Sequence, residues 1–397
     1  MSAAGRIKLS QRVSELPPYV FGRLNALKAA RRKAGVDVID LGMGNPNDPP
    51  AQLIVDKLCE AVQDPRNHRY SVSADGIFNL KRALAVFYQE EWGVQLDPAS
   101  EVVCTIGSKE GLSHLSLALA DPGDVVIVPT PAFPVHVQSV KLAGGTVVSM
   151  PMSNGPEFFE DLRRAADGAP RAPKALVLNF PHNPTTLTVE LEFFEKAVEF
   201  CRERGIFIVH DFAYSHITFD GYKAPSLLQV PGAKEIAVEF STMSKTFSMA
   251  GWRVGFCAGQ AEVVGALARI KGYYDYGLFM PIQIASIVAL RDCREDARKQ
   301  AAEYQVRRDA LCDGLERIGW HVPRPRGTMF AWAPIPQQYD DMSSLDFSLL
   351  VLDKANVAVA PGEAFGEGGK RFVRLALVEN KLRLQQAVRQ IGRALKL

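Results

Sequence analysis

The 397-residue chain lacks the features that mark membrane, nucleic-acid-binding and disulfide-rich proteins. No uninterrupted apolar run reaches the roughly 20 residues needed to span a bilayer, and residues 1–11 lack the apolar core of a signal peptide. Neither sign of charge dominates, because 46 lysines and arginines face 44 aspartates and glutamates. This balance argues against a nucleic-acid or membrane-surface partner, since either requires a basic excess.

The cysteines are too scattered for a disulfide framework or a metal site. The six are Cys59, Cys104, Cys201, Cys257, Cys293 and Cys312. No pair has the spacing of a zinc or redox motif, and most lie in apolar segments. We therefore expect reduced core residues in a cytoplasmic protein that holds no metal.

Short apolar runs dominate the middle of the chain. They are rich in Val and Ile and do not alternate with polar residues, as expected for strands covered on both faces. Helical patterns separate several of them, including the amphipathic segment Leu191–Arg204. The predicted strands are Val102–Ile106, Val125–Val128, Thr146–Ser149, Ala175–Leu178, Ile206–Val209, Ile236–Phe240 and Val254–Cys257. This alternation predicts a large α/β domain with a mostly parallel central sheet, over residues 46–295.

The two ends of the chain differ from the middle. Near the N-terminus an L-P-P-Y stretch precedes a basic helical pattern, Leu24–Ala34. From about Glu295 a long charged helix is followed by short strands and a helix that begins at Lys381. We expect residues 1–45 and 296–397 to form a smaller α+β domain with an N-terminal arm.

The segment S-T-M-S-K-T-F-S-M-A-G-W-R-V-G-F, residues 241–256, carries the strongest chemical signal. Lys245 follows an apolar strand and has apolar residues on both sides. A lysine in such desolvated surroundings has a lowered pKa and forms Schiff bases. Arg253 and Thr242 are near enough in sequence to bind a phosphate group beside it. The alternative is a lysine in an exposed turn.

Three further polar residues follow apolar strands, where α/β sheets bind their ligands. If the Schiff-base ligand of Lys245 carries a pyridine ring, Asp211 is placed to keep the ring nitrogen protonated. Tyr214 is placed to hydrogen-bond a phenolic oxygen on the same ring. Asn183 lies in N-F-P-H-N-P-T, a loop stiffened by two prolines. Taken singly, these residues also suit a helix cap or an ordinary Asn-Pro turn.

Two loops are candidates for binding the phosphate and the ring of one ligand. The G-S-K-E-G segment that contains Ser108 and Lys109 joins a strand to a helix, whose first N–H groups form a phosphate seat. It lacks the spacing of a P-loop. Phe133, in P-T-P-A-F-P, is placed to stack on an aromatic ring, with simple core packing as the alternative.

Arg374 interrupts an apolar strand, R-F-V-R-L-A-L, near the C-terminus. A buried arginine needs an anionic partner because desolvating an unpaired charge is expensive. A substrate carboxylate, bound by both guanidinium N–H groups, meets this need. A structural ion pair is the alternative.

Together these segments resemble fold-type I enzymes that use pyridoxal phosphate (PLP), in the class I/II aminotransferase family. The order matches that family: phosphate loop, stacking aromatic, N-P, D-x-x-Y, a lysine loop with a downstream arginine, and a late arginine. Six motifs in this order are specific, although each alone is weak. Two positions differ, because Phe133 stands where the family often has tyrosine and Thr186 replaces the glycine of N-P-T-G.

The resemblance implies a role for each of these residues. Lys245 carries PLP as a Schiff base and moves the substrate proton, while Asp211 pairs with the ring nitrogen. The remaining implied contacts are Asn183 and Tyr214 at the phenolic oxygen, Phe133 on the ring, Ser108, Lys109, Thr242 and Arg253 at the phosphate, Arg374 with Gly44 and Asn183 at the substrate α-carboxylate, and Tyr19 beside the substrate side chain. Tyr70 matches a tyrosine that reaches the phosphate of the neighbouring subunit, which implies a homodimer with shared active sites.

The resemblance also implies the reaction, a ping-pong transfer of an amino group between an L-amino acid and a 2-oxo acid. Segments such as L-P-P-Y-V-F, V-H-D-F-A-Y and K-G-Y-Y-D-Y-G are similar to bacterial glutamate–pyruvate (alanine) aminotransferases, so alanine and 2-oxoglutarate are the expected pair. Aspartate, methionine, aromatic amino acids and LL-diaminopimelate stay open as substrates. The same motifs also suit a PLP-dependent carbon–sulfur β-lyase, and a non-catalytic protein that keeps this fold stays open as well.

Overall fold

The computed structural model describes residues 7–17 and 21–396. Its strands are β1 Ile39–Asp40, β2 Val102–Thr105, β3 Val125–Thr130, β4 Thr146–Pro151, β5 Pro173–Asn179, β6 Phe207–Asp211, β7 Ala237–Thr242, β8 Gly255–Gly259, β9 Phe330–Pro334, β10 Val357–Ala358, β11 Ala360–Pro361 and β12 Phe372–Ala376. Its helices are α1 Gln11–Ser14, α2 Phe21–Lys33, α3 Gln52–Val62, α4 Phe78–Trp92, α5 Ser108–Leu119, α6 Pro134–Ala143, α7 Glu157–Asp167, α8 Leu191–Arg204, α9 Ala233–Ile236, α10 Met243–Thr246, α11 Ala261–Tyr274, α12 Met280–Asp292, α13 Arg294–Arg317, α14 Ser344–Ala355 and α15 Lys381–Leu395.

All seven strands predicted from the apolar runs lie in one sheet, in the order β2-β8-β7-β6-β5-β3-β4. Only β8 runs antiparallel to its neighbours β2 and β7, which confirms a mostly parallel sheet. The predicted helix Leu191–Arg204 is also confirmed, and it ends at Gly205, whose φ of +67° suits glycine.

Alternating residues of the central strands serve two separate cores. Leu176 and Leu178 of β5 pack into the core that contains Phe194 of α8. Val177, between them, faces the opposite core together with Val209 of β6. Because helices cover both faces, the inner strands read as continuous apolar runs.

The prediction of full burial is wrong for β4. This strand forms one edge of the sheet; Thr146 and Ser149 are exposed, and Val147 and Val148 between them are only half-buried. An edge strand has a neighbour on one side only, so its apolar residues are covered incompletely in the chain by itself. The prediction that the cysteines are core residues is likewise wrong for Cys59, which is exposed on α3, whereas the other five are buried.

A third core joins the two ends of the chain. Strand β1 pairs with β10 in parallel, so that Ile39 lies opposite Val357. Strands β11, β12 and β9 form an antiparallel sheet that packs against α13 and α14, and α15 packs against those two helices and β10. Within the part of the chain that is described, none of the helices combines the length and apolarity of a membrane span.

The topology brings several chain segments to one edge of the large sheet. The carboxyl ends of β5, β6 and β7 meet there because these strands are parallel. The start of β8 lies at the same edge, where Gly255 pairs with Thr242 at the end of β7 and with Thr105 at the end of β2. Ligands of open α/β sheets bind outside this edge.

Candidate active site

A cavity of about 720 Å³ lies outside this edge of the sheet. Eleven of the thirteen residues predicted for the site line it: Gly44, Ser108, Lys109, Phe133, Asn183, Asp211, Tyr214, Thr242, Lys245, Arg253 and Arg374. We call its two sides the sheet wall (residues 106–109, 133, 183, 211–214 and 242–253) and the terminal wall (residues 42–45, 330, 365 and 374). The structure therefore brings together residues that lie up to 330 positions apart, from Gly44 to Arg374.

Lys245 lies where the two walls meet. The Thr242 hydroxyl caps the short helix α10 by accepting the Ser244 N–H at 3.1 Å, which fixes the turn that carries Lys245. The Lys245 ammonium donates to the Gly44 carbonyl oxygen at 2.8 Å. Burial, together with the positive charges of Arg374 and Arg253, lowers the pKa of Lys245 to about 8. A neutral, nucleophilic amine is therefore accessible near neutral pH.

Asp211 ends β6 as a buried carboxylate. Its Oδ2 lies 2.9 Å from Nε2 of the buried His136, and its Oδ1 accepts the Ala213 N–H at 3.2 Å. Sequence reasoning missed His136. The signal that identifies it is its position one helical turn after Phe133, in a helix that begins at Pro134.

An amide network ties the ends of β5 and β6 together. Asn179 donates to the Asp211 carbonyl oxygen at 2.7 Å and accepts the Asn183 N–H at 3.0 Å. The Asn183 side chain lies 3.5 Å from the Tyr214 hydroxyl. Burial raises the pKa of Tyr214, so this hydroxyl stays protonated. Asn179 received no role from the sequence, although it opens the N-F-P-H-N-P-T motif.

The same loop contains one of the two departures from the family pattern. Thr186 stands where the family has glycine, and it adopts a φ of +63°, in the left-handed region that favours glycine. It is also buried. The backbone therefore keeps the glycine conformation although the side chain differs, and Asn183 still faces the cavity.

The phosphate end of the sheet wall depends on close backbone packing. Gly107 has a φ of +74°, and a Cβ atom there would overlap the Arg253 guanidinium. A Cβ atom at Gly255 would lie 2.6 Å from the Ser108 nitrogen. Arg253 donates to the carbonyl oxygens of Ala250 and Ile106 at 3.0 and 3.4 Å. The first N–H groups of α5 and this guanidinium thus form one seat for an anion.

Two residues of this wall frame the position of a planar ring. Phe133 precedes α6, and the Lys109 ammonium lies 5.8 Å from the centre of its ring. Phe133 is only partly buried and lines the cavity. An aromatic ligand can stack there without displacing a core residue.

Arg374 forms the centre of the terminal wall. Its guanidinium donates to the Asn183 side-chain oxygen at 2.6 Å and to the Gly42 carbonyl oxygen at 3.3 Å. The centres of the Phe330 and Phe365 rings lie 3.9 and 4.6 Å from its Cζ. These contacts help to hold a positively charged fork at the cavity, where its geometry suits a carboxylate. Neither aromatic residue was predicted.

Two predicted site residues are not among these eleven. Tyr70 is 87% exposed, and its ring contacts Tyr276 edge-on at 5.9 Å, outside the cavity. Tyr19 lies outside the described residues.

The residues of the cavity fit pyridoxal phosphate. The anion seat suits its phosphate, the buried Asp211 its ring nitrogen, and Lys245, with its lowered pKa, its aldehyde. An α/β fold of this topology with such a cavity defines a fold-type I PLP enzyme.

The chain belongs to the class I and II aminotransferase family, whose model matches residues 36–391. It is a PLP-dependent aminotransferase, and PLP is its cofactor. The putative aminotransferase AatC of Rhizobium meliloti is 49% identical over 97% of this chain and 95% of its own length. The glutamate-pyruvate aminotransferase AlaC of Escherichia coli is 48% identical over 96% of this chain and 92% of its own length.

Two further comparisons add a relative with a different named substrate and a solved structure. An LL-diaminopimelate aminotransferase of Moorella thermoacetica is 43% identical over 97% of this chain and 98% of its own length. Among solved structures, substrate-bound BacF from Bacillus subtilis superposes with a TM-score of 0.91 at 32% identity, covering 98% of each chain. The resemblance seen in the motifs is therefore confirmed over nearly the whole length.

Proposed function

We propose that this chain transfers the amino group of L-alanine to 2-oxoglutarate, giving pyruvate and L-glutamate. The observation that supports an amino-acid substrate most directly is that Lys245 and Arg374 line the same cavity. An amine acceptor and a carboxylate receptor together match an α-amino acid. The 48% identity to a glutamate-pyruvate aminotransferase supports the choice of alanine and glutamate.

The sheet wall would hold the cofactor. We assign the phosphate to Ser108, Thr242, Arg253 and the backbone of Lys109, the ring face to Phe133, and the phenolic oxygen to Asn183 and Tyr214. Asp211 would keep the ring nitrogen protonated, supported by its contact with His136. When bound, PLP supplies an electron sink that stabilises negative charge at the substrate Cα.

The chain's own residues would then act on the substrate. Arg374 binds the α-carboxylate with both guanidinium N–H groups, and Asn183 orients that guanidinium from the side. Gly44 lines the same cavity, and glycine is needed there because a Cβ atom would lie 2.5 Å from the Phe330 ring. Lys245, neutral above a pKa of about 8, would accept the proton from the substrate Cα on its Nζ and hold it for return in the second half of the transfer.

We further propose that two copies of the chain share their active sites. Tyr70 is exposed and lies outside the cavity of its own chain, as suits a residue that completes the phosphate site of a partner.

We also propose that residues 46–295 form the large domain, and that residues 1–45 and 296–397 form the smaller one. A cytoplasmic location is supported by six cysteines that are all unpaired.

The test is a panel of half-reactions. The PLP-loaded protein is mixed with one amino acid at a time, without an oxo acid, and the loss of the visible cofactor absorption is followed. Fastest reaction with alanine and glutamate is the expected result. Preference for LL-diaminopimelate, aspartate, methionine or an aromatic amino acid would overturn the proposed substrates. Pyruvate and ammonia released from cysteine-type substrates would instead show a β-lyase.

A further inference from the structure

A fully buried lysine lies behind the phosphate end of the sheet wall, outside the cavity. Lys271 of α11 is 0% exposed. Its ammonium contacts the Glu110 carboxylate at 3.3 and 3.4 Å and the Asp275 carboxylate at 2.9 and 3.1 Å. A buried charge is retained only when its partners replace the lost hydration, so this group is fixed in position by its two carboxylates.

Glu110 connects this lysine to the phosphate end of the cavity. Its Oε2 accepts the Ile106 N–H at 2.6 Å, just before the loop enters α5. The Ile106 carbonyl in turn accepts from the Arg253 guanidinium at 3.4 Å. A continuous path of contacts therefore runs from the Lys271 ammonium through Glu110 and Ile106 to Arg253.

We propose that Lys271 and Glu110 are positioning residues that set the phosphate loop, residues 106–108, against Arg253. The inference rests on the phosphate site proposed above. Neither side chain lines the cavity. Within one chain they act on the phosphate through the backbone of Ile106, so their removal loosens phosphate binding while Lys245 and the ring contacts stay in place.

The neighbouring groups supply no substitute for Lys271. His114, one turn after Glu110 on α5, contacts the same carboxylate and lies 3.6 Å from the Asp275 carboxylate. Its ring packs against Tyr274 at 5.1 Å and is therefore held in place. An ammonium has three N–H donors, whereas His114 presents a single ring nitrogen to the two carboxylates. His114 therefore cannot bond both carboxylates in the way that Lys271 does.

The second carboxylate extends the same path towards Tyr70. Asp275 also accepts the Gly277 N–H at 2.9 Å, which closes the turn that carries Tyr276. Tyr276 adopts a φ of +53° and packs edge-on against Tyr70. The Lys271 ammonium thus stabilises two segments. One is the phosphate loop of its own chain, and the other is the turn of Tyr276, which packs against Tyr70, the residue assigned to the phosphate of the partner subunit.

The test compares PLP with pyridoxal, which carries the same aldehyde and ring but no phosphate. Dissociation constants of both are measured on the cofactor-free protein from the visible absorption. We expect Lys271→Met and Glu110→Ala each to weaken PLP about tenfold, the size of one charge-assisted hydrogen bond. Pyridoxal should change by less than about twofold. Glu110→Gln, whose amide oxygen still accepts the Ile106 N–H, should regain part of the loss.

The matched control is Lys234→Met. Lys234 pairs with Glu101 at 2.9 Å, at the opposite end of β2 from Ile106, and this variant should leave both constants unchanged. Equal weakening of PLP and pyridoxal in the Lys271 and Glu110 variants, or none, would overturn the proposal. Arg253→Ala separates the two levels of argument. If Arg253→Ala does not weaken PLP more than it weakens pyridoxal, the phosphate site itself is misassigned; if it does and Lys271→Met does not, only the positioning role falls.

Discussion

The sheet wall and the terminal wall of the cavity are built in opposite ways. The sheet wall takes its residues from strand ends that are hydrogen-bonded side by side, with Asn183, Asp211 and Thr242 following or ending three adjacent strands. The terminal wall joins Gly42 to Arg374, which belong to opposite ends of the chain. A wall anchored in one sheet suits a permanently bound cofactor, whereas a wall assembled from the chain ends suits a substrate that exchanges in every cycle.

Lys245 belongs to the sheet wall but bonds to Gly44 of the terminal wall, so its replacement tests both. We expect Lys245→Ala to lower kcat by about 10⁴-fold, because a positioned acid–base group contributes about 10²–10⁴-fold and the covalent link to PLP is lost as well. Single-turnover kinetics with added PLP measure this loss. The variant should still bind PLP through the phosphate seat. Near wild-type turnover would mean that another amine does this chemistry.

Asp211 tests the sheet wall alone. Asp211→Asn keeps the size of the side chain but removes the charge, and we expect kcat to fall about 10²–10³-fold, as for the loss of one catalytic electrostatic contact. Steady-state kinetics at saturating PLP measure it. Asp124→Asn, just before β3 on the opposite edge of the sheet, is the control. An unaffected kcat in Asp211→Asn would show that the ring nitrogen is held by another group.

Arg374 tests the terminal wall. We expect Arg374→Lys to raise the KM for the amino acid about 10- to 100-fold with a smaller change in kcat, since an ammonium cannot grip a carboxylate with two parallel bonds. Arg371→Lys is the matched control, because Arg371 is exposed just before the same strand and bonds to the Asp340 backbone. If KM and kcat both stay unchanged in Arg374→Lys, the arginine has a structural role.

The smallest expected effect is on the pH dependence of PLP attachment. It probes how Arg253 of the sheet wall and Arg374 of the terminal wall together lower the pKa of Lys245. The pKa of Lys245 is lowered from 10.5 to about 8, first by burial and then by Arg374 and Arg253. Only the neutral amine reacts with an aldehyde, so attachment of PLP should speed up as pH rises and level off above about pH 8. Arg374→Met removes one positive charge, which should move the plateau to higher pH. Stopped-flow absorbance measures the rates, and a wild-type plateau near 10.5 would contradict the assigned burial effect.

The sheet wall was the more predictable of the two. Apolar runs located every strand of the large sheet, and a polar residue after such a run marks the ligand edge because parallel strands end together. Lys245, Asp211 and Asn183 were all found by this rule. The antiparallel direction of β8 was not, since apolar periodicity carries no information on strand direction.

The terminal wall was less predictable for a physical reason. Arg374 drew attention because a charge inside an apolar strand needs a partner. Phe330 and Phe365, which contact it, look like ordinary core residues in the sequence. His136 and Lys271 show the same limit, because a buried polar residue reveals its purpose only when its partner from a distant segment is known.

The direction of β8 has a consequence for how this enzyme can vary. Strand β7 arrives at the ligand edge and β8 departs from it, so the chain reverses there without a crossover helix. Residues 243–254 alone join the two strands, and both Lys245 and Arg253 lie within them. The length of this reversal therefore sets how far the reactive amine stands from the anion seat, and an insertion would alter that spacing directly. We therefore expect a one-residue insertion in this connection to impair PLP attachment more than an insertion of the same size in the terminal wall.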